Sequence, residues 1–141
     1  MTKHKTLVAA SATAISAIAL FTSPALAQAL PMNPLAPPCG QYKFSGLTIL
    51  NQSNGYRLEF AANGTTVNAP VTSYNNRQAV AGRGTVSGSI NAREVVFTVA
   101  WDNRTFGDYS GSVNDSGKAK GETHGAGGSA TWNFKNRLEC L

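Results

Sequence analysis

Charge is scarce in this chain of 141 residues, where Asp, Glu, Lys and Arg together make up 13%. Histidine and cysteine are scarcer, with two of each. One histidine, His4, lies among the first few residues, so His124 has no second imidazole to share a metal with. It reads as a surface turn residue, and no metal or cofactor is expected. Long apolar runs are missing too, apart from one between Leu7 and Phe21, which is too short to anchor in a bilayer. Lys3, His4 and Lys5 precede that run, and Ala25-Leu26-Ala27 follows it. This is the layout of a secretory signal peptide of bacterial type, over residues 1–27, cut before Gln28. No later stretch is apolar enough to insert in a membrane. Cys39 follows Ala36-Pro37-Pro38, which is not the setting of a lipid-modified cysteine.

Clustered charge is also lacking. Beyond residue 27, ten basic and seven acidic residues are scattered along 114 positions. A nucleic-acid binder gathers its basic residues on one face, so no nucleic-acid partner is expected. Four Asn-x-Ser/Thr triplets, at Asn51, Asn63, Asn103 and Asn114, read as chance in a turn-rich sequence. Catalytic motifs are missing as well. Gly107-Asp108-Tyr109-Ser110-Gly111 has the wrong spacing for a nucleophile elbow, and Gly82 to Gly88 does not form a dinucleotide loop. Asp102 and Asp108 fall where a hairpin rim would bring them close, but Asn103, Arg104 and Gly107 around them describe a solvated turn. The chain is not expected to be an enzyme.

Helical periodicity is absent from Gly40 onward, and alternation takes its place. Eight strands are predicted: Gln41–Leu50, Tyr56–Ala61, Thr65–Thr72, Gln78–Ile90, Glu94–Asp102, Thr105–Val113, Lys118–His124 and Ala130–Leu138. Val95, Phe97, Val99 and Trp101 share one face of the fifth; Ala130, Trp132 and Phe134 share one face of the eighth. Asn63-Gly64 predicts a type I′ hairpin, and Pro70 marks the third strand as irregular. Gln28–Pro38 holds four of the chain's six prolines and no charge, so an extended leader precedes the domain over 39–141.

The two cysteines, Cys39 and Cys140, bracket that domain. Export supplies oxidising conditions, and an even-stranded meander that closes brings its ends together. The fold class is therefore an all-β, eight-stranded, antiparallel up-and-down barrel closed by one disulfide, Cys39–Cys140.

Three segments carry a family resemblance. Thr98-Val99-Ala100-Trp101-Asp102-Asn103 resembles a strand of the bacterial avidins, and Tyr109-Ser110-Gly111 is similar to the aromatic-Ser-Gly of their next strand. Gly40-Gln41-Tyr42 stands where avidins and the wider lipocalin-like barrels have Gly-x-Trp. Arg137 stands where such barrels set a basic residue against the first-strand aromatic. The resemblance implies a small-molecule pocket walled by Trp101 and Tyr109. It departs from the biotin binders at Phe44 and Cys140, which take the places of polar ureido-binding groups. Biotin is therefore not the expected ligand.

The inward rings are Trp101, Tyr109, Trp132, Phe97 and Phe44, and they either fill the barrel or line a cavity. Gly107, Gly111 and Gly121 on inward positions argue for leftover volume, with those five rings as the ligand-binding set. The expected function is a secreted, non-catalytic binding protein for a small apolar or flat ligand. The alternative is an extracellular protein-binding domain, such as a protease inhibitor, that uses Gln28–Pro38 to enter a partner. Polar outer positions such as Thr98, Lys120 and Lys135 predict a monomer or a weak dimer.

Overall fold

A computed structural model describes residues 38–141. The signal segment and all of the Pro-rich leader but Pro38 lie outside the described residues. The elements are β1 (Tyr42–Gln52), β2 (Arg57–Gly64), β3 (Thr66–Tyr74), β4 (Val80–Asn91), β5 (Glu94–Trp101), β6 (Phe106–Val113), β7 (Ala119–Gly125), β8 (Gly128–Phe134) and β9 (Glu139–Cys140). Each strand from β2 to β8 pairs antiparallel with its neighbour in the chain, and β1 pairs with both β2 and β8. That double pairing closes the sheet into a barrel of eight positions. The expected fold class is what forms.

β9 shares the eighth position with β8. Leu50–Gln52 of β1 pair with β8, whereas Tyr42 and Lys43 pair with Cys140 and Glu139. The expected continuous strand Ala130–Leu138 is thus broken after Phe134. Leu138 turns inward until it is buried, and its N–H donates to the Gly117 carbonyl at 2.8 Å instead of to β1. Burying that side chain against the end of the barrel outweighs a few ladder bonds.

The type I′ hairpin expected at Asn63-Gly64 does not form. That turn needs a positive φ at both residues, and only Gly64 has one. The β2–β3 ladder instead stops at the Phe60–Val71 pair, so that Pro70, the residue preceding Val71, is left out of it. Proline has no N–H to donate, so beyond it β2 follows β1 while β3 follows β4.

Four other turns share one geometry. In 52–56, 75–79, 101–105 and 114–118, the fourth residue donates to the first carbonyl, and the first N–H donates to the fifth carbonyl. This is the three-residue hairpin loop that ends in a left-handed residue. Glycine fills that left-handed place at Gly55 and Gly117, but Gln78 (φ 61°) and Arg104 (φ 68°) fill it in the other two. An Asn carboxamide braces each turn, as where Asn114 Oδ1 accepts from the Ser116 and Lys118 N–H groups.

Alternation puts Phe44, Phe60, Phe97, Phe134 and Trp132 inside, all nearly inaccessible to solvent. Most of their rings meet edge-on or tilted, Phe44 to Phe60 at 6.0 Å and Trp132 to Phe134 at 5.1 Å, while Phe97 and Phe134 lie nearly parallel at 6.3 Å, distances that suit aromatic packing. This cluster fills the middle of the barrel. One end is capped by Tyr42, Ile90, Val113, Ala119 and Leu138, and the Tyr42 hydroxyl donates to the Asn114 carbonyl at 3.0 Å. Arg137 is not stacked on Tyr42; among the described residues the cation over a ring is Arg57 above Tyr74. Gln41 ties the capped end together, accepting from the Ala92 N–H and donating to the Ile90 carbonyl. Cys39 and Cys140 are bonded there, with Cα atoms 5.7 Å apart.

Candidate functional site

The other end of the barrel is open. A cavity of about 420 Å³ enters it, ringed by the turns 52–56 and 101–105, the Gly125–Gly128 turn and the start of β4. Strand alternation explains its walls. Trp101 is the last inward residue of β5 and lies half-buried at the mouth. Its indole passes over Gly82, where an added Cβ would sit 3.6 Å from the ring, and comes beside Gly107. Larger residues at 82 and 107 would occupy the space that the ring and the cavity now share.

Tyr109, two residues further in on β6, forms part of the floor. Its ring stacks on Phe97 at 4.6 Å and 10°, so the floor is held from beneath. The Gln52 side-chain amide donates to its hydroxyl at 2.9 Å. Burial pushes the Tyr109 phenol above its ordinary pKa, and hydrogen bonds to Thr123 and Gln52 offset part of that. The hydroxyl is therefore neutral at physiological pH, able both to donate and to accept.

Ser73 and Thr123, both buried, add two more hydroxyls to the wall. The depth of the cavity is thus apolar rings with a few uncharged polar groups. Charge enters at the rim, through Arg83 and Asp102. Such a lining suits a flat, uncharged ring system that can exchange one or two hydrogen bonds.

The five rings expected to line the pocket separate into two layers. Trp101 and Tyr109 line the cavity. Trp132, Phe97 and Phe44 lie below it in the packed cluster and do not reach it. The glycines divide in the same way. Gly107 borders the cavity, but Gly111 and Gly121 leave no room: a Cβ on Gly111 would stand 2.6 Å from the Trp132 ring and meet the β7 backbone. Trp132 lies beside that stretch and donates its Nε1–H to the Glu122 carbonyl at 2.9 Å. The expectation that these two glycines open a cavity is corrected: the indole and the β7 backbone take the space at Gly111, and the β6 backbone takes it at Gly121.

Reading the sequence alone passed over Gln52, Ser73, Thr123, Tyr56 and Phe106. Tyr56 and Phe106 each begin, or immediately precede, a strand just after a turn, and an aromatic there signals a rim residue. Asp102 and Asp108 do not form a pair. Asp102 edges the cavity, while Asp108 lies on the outer face and accepts from the Thr98 hydroxyl at 2.8 Å. His124 is exposed beside Ser129, and no group of metal-binding side chains forms among the described residues.

Compared with known proteins, the chain matches no family model, no curated sequence and no solved structure. What is seen is an eight-stranded antiparallel barrel, which is consistent with a calycin-like fold, and no relative carries the avidin chemistry across.

Proposed function

We propose that this is an exported, non-catalytic binding protein that holds a small flat molecule at the open end of its barrel. One observation carries the reading: the barrel is packed solid through its middle, yet a cavity of about 420 Å³ persists at one end between Trp101 and Tyr109. A fold that can fill itself with rings leaves such volume at a cost in lost contacts, and that cost is offset when a ligand restores them. The signal-like leader and the disulfide support a site of action outside the cytoplasm.

Titrating the oxidised protein with neutral aromatic and heterocyclic compounds tests the proposal through tryptophan emission. A bound ring should quench Trp101, and Trp101→Phe should lose the signal while keeping its melting temperature. Silence across the whole panel would refute the reading.

A further inference from the structure

Among the described residues, six large apolar side chains are exposed, and three of them gather at the open end: Tyr56 (42% accessible), Val80 (50%) and Phe106 (60%). The other three are dispersed, with Leu47 on β1, Val96 on β5 and Leu141 the final residue. Tyr56 and Phe106 border the cavity mouth, and Val80 precedes Ala81, which borders it too. Packing does not account for this, because a barrel end can close over its rings, as the capped end does with Tyr42 and Leu138. Apolar groups collected on one exposed end mark a contact surface.

The charges around those groups have one dominant sign. Arg77 and Arg104 sit on two of the four turns at this end, and Arg83 borders the mouth. None of the three takes part in an ion pair among the described residues. Asp102 is the single acid on those turns. Nearby Arg57 is already held by Glu59 at 3.1 Å. At the capped end, by contrast, Arg93 is paired with Asp115.

Arg104 carries a second mark. It occupies the left-handed place of its turn at φ 68°, where two of the three matching turns use Gly55 and Gly117 and the third uses Gln78. A long cationic side chain is kept where glycine would be easier. The turn immediately precedes Phe106.

We infer that the open end of the barrel docks on an anionic lipid surface, with Phe106, Tyr56 and Val80 entering the headgroup boundary and Arg77, Arg83 and Arg104 meeting lipid phosphates. Aromatic rings and arginines side by side are the composition that interfacial binding uses. Such docking is peripheral and needs no spanning segment; none of the described strands is called on to cross. It also points the cavity mouth at the membrane. The inference stands apart from the identity of any soluble ligand, because vesicle binding is read on the protein alone.

Sedimentation of the oxidised mature protein with vesicles provides the test, using equal parts phosphatidylglycerol and phosphatidylcholine against pure phosphatidylcholine. Binding should require the anionic lipid and weaken in high salt. Phe106→Ser should lower partitioning roughly tenfold, and Arg77→Gln and Arg104→Gln about fivefold each. All three positions are exposed, so the variants should melt with the parent. The paired control Lys118→Gln with Lys120→Gln, on or beside β7 away from the mouth, should leave partitioning unchanged. No binding to anionic vesicles, equal binding to neutral ones, or an equal loss in the lysine control would each overturn the inference.

Discussion

Gly111 shows how a missing side chain is read wrongly when its neighbours are unseen. An inward glycine beside large rings looks like unfilled volume, yet the Trp132 indole already lies within 2.6 Å of where its Cβ would be. Gly111→Ala should therefore destabilise by about 1–3 kcal/mol, the range for an overfilled core, and a denaturant midpoint would record it. Ala92 presents the opposite case. It holds φ 53° in the Asn91–Glu94 hairpin, where glycine is unstrained. Its N–H donates to the Gln41 side chain at 2.7 Å, a bond that glycine keeps. Ala92→Gly should raise stability by roughly 0.5–1 kcal/mol, the relief of left-handed strain less the extra freedom glycine gains when unfolded. Tyr109 adds a dependence on pH. Its phenol is raised in the folded state by burial, so above pH ~10 the unfolded chain releases its proton first. Stability then falls as pH rises from that value through the folded one. Tyr109→Phe should flatten this alkaline decline in melting temperature while leaving the neutral range less stable, since Gln52 loses its acceptor.

Strands were legible wherever one face is buried. Val95, Phe97, Val99 and Trp101 announce β5 by period alone, and the structure buries the first three and half-buries the fourth. Turns were legible where glycine marks the left-handed residue, as at Gly55 and Gly117. The turn at 75–79 was missed, because Gln78 does that work there and the predicted strand already began at Gln78, whereas β4 begins at Val80; at Asn103-Arg104 a turn was expected, but not that Arg104 would be its left-handed residue. The break in the last strand was hidden for another reason: Leu138 leaves the ladder for a partner, Gly117, that is remote until the barrel closes. Depth was the hardest quantity of all. Alternation says that Trp101 and Trp132 both point inward, but only the closing register says which lies at the mouth and which in the packed layer. The bracing carboxamides offer a test of the shared turn design. Asn114→Ala removes the acceptor for both Ser116 and Lys118 N–H groups, and thermal melting should show a loss of about 1 kcal/mol.

At the scale of the whole molecule, closure depends on a narrow seam. Most strands are joined by seven or more residue pairs along one edge, but β1 meets β8 through Leu50, Asn51 and Gln52 and meets β9 through Tyr42 and Lys43. The disulfide lies at one end of this seam and closes a loop with a sequence separation of 101 residues. On the chain-entropy model such a bond stabilises by about 4–5 kcal/mol. Reduction, or Cys140→Ser, should lower the melting temperature by several degrees or more, and calorimetry of the two redox forms measures it. The seam has a further consequence. A closed barrel has no free strand edges, and that is its protection against sticking to other copies of itself. Part β1 from β8 and β9, and two backbone edges face solvent at once, one on each side of the cut. The disulfide then acts as a guard against polymerisation: a reduced chain that breathes at this seam would offer its first strand to the last strand of another copy, and the product would be a chain of linked barrels.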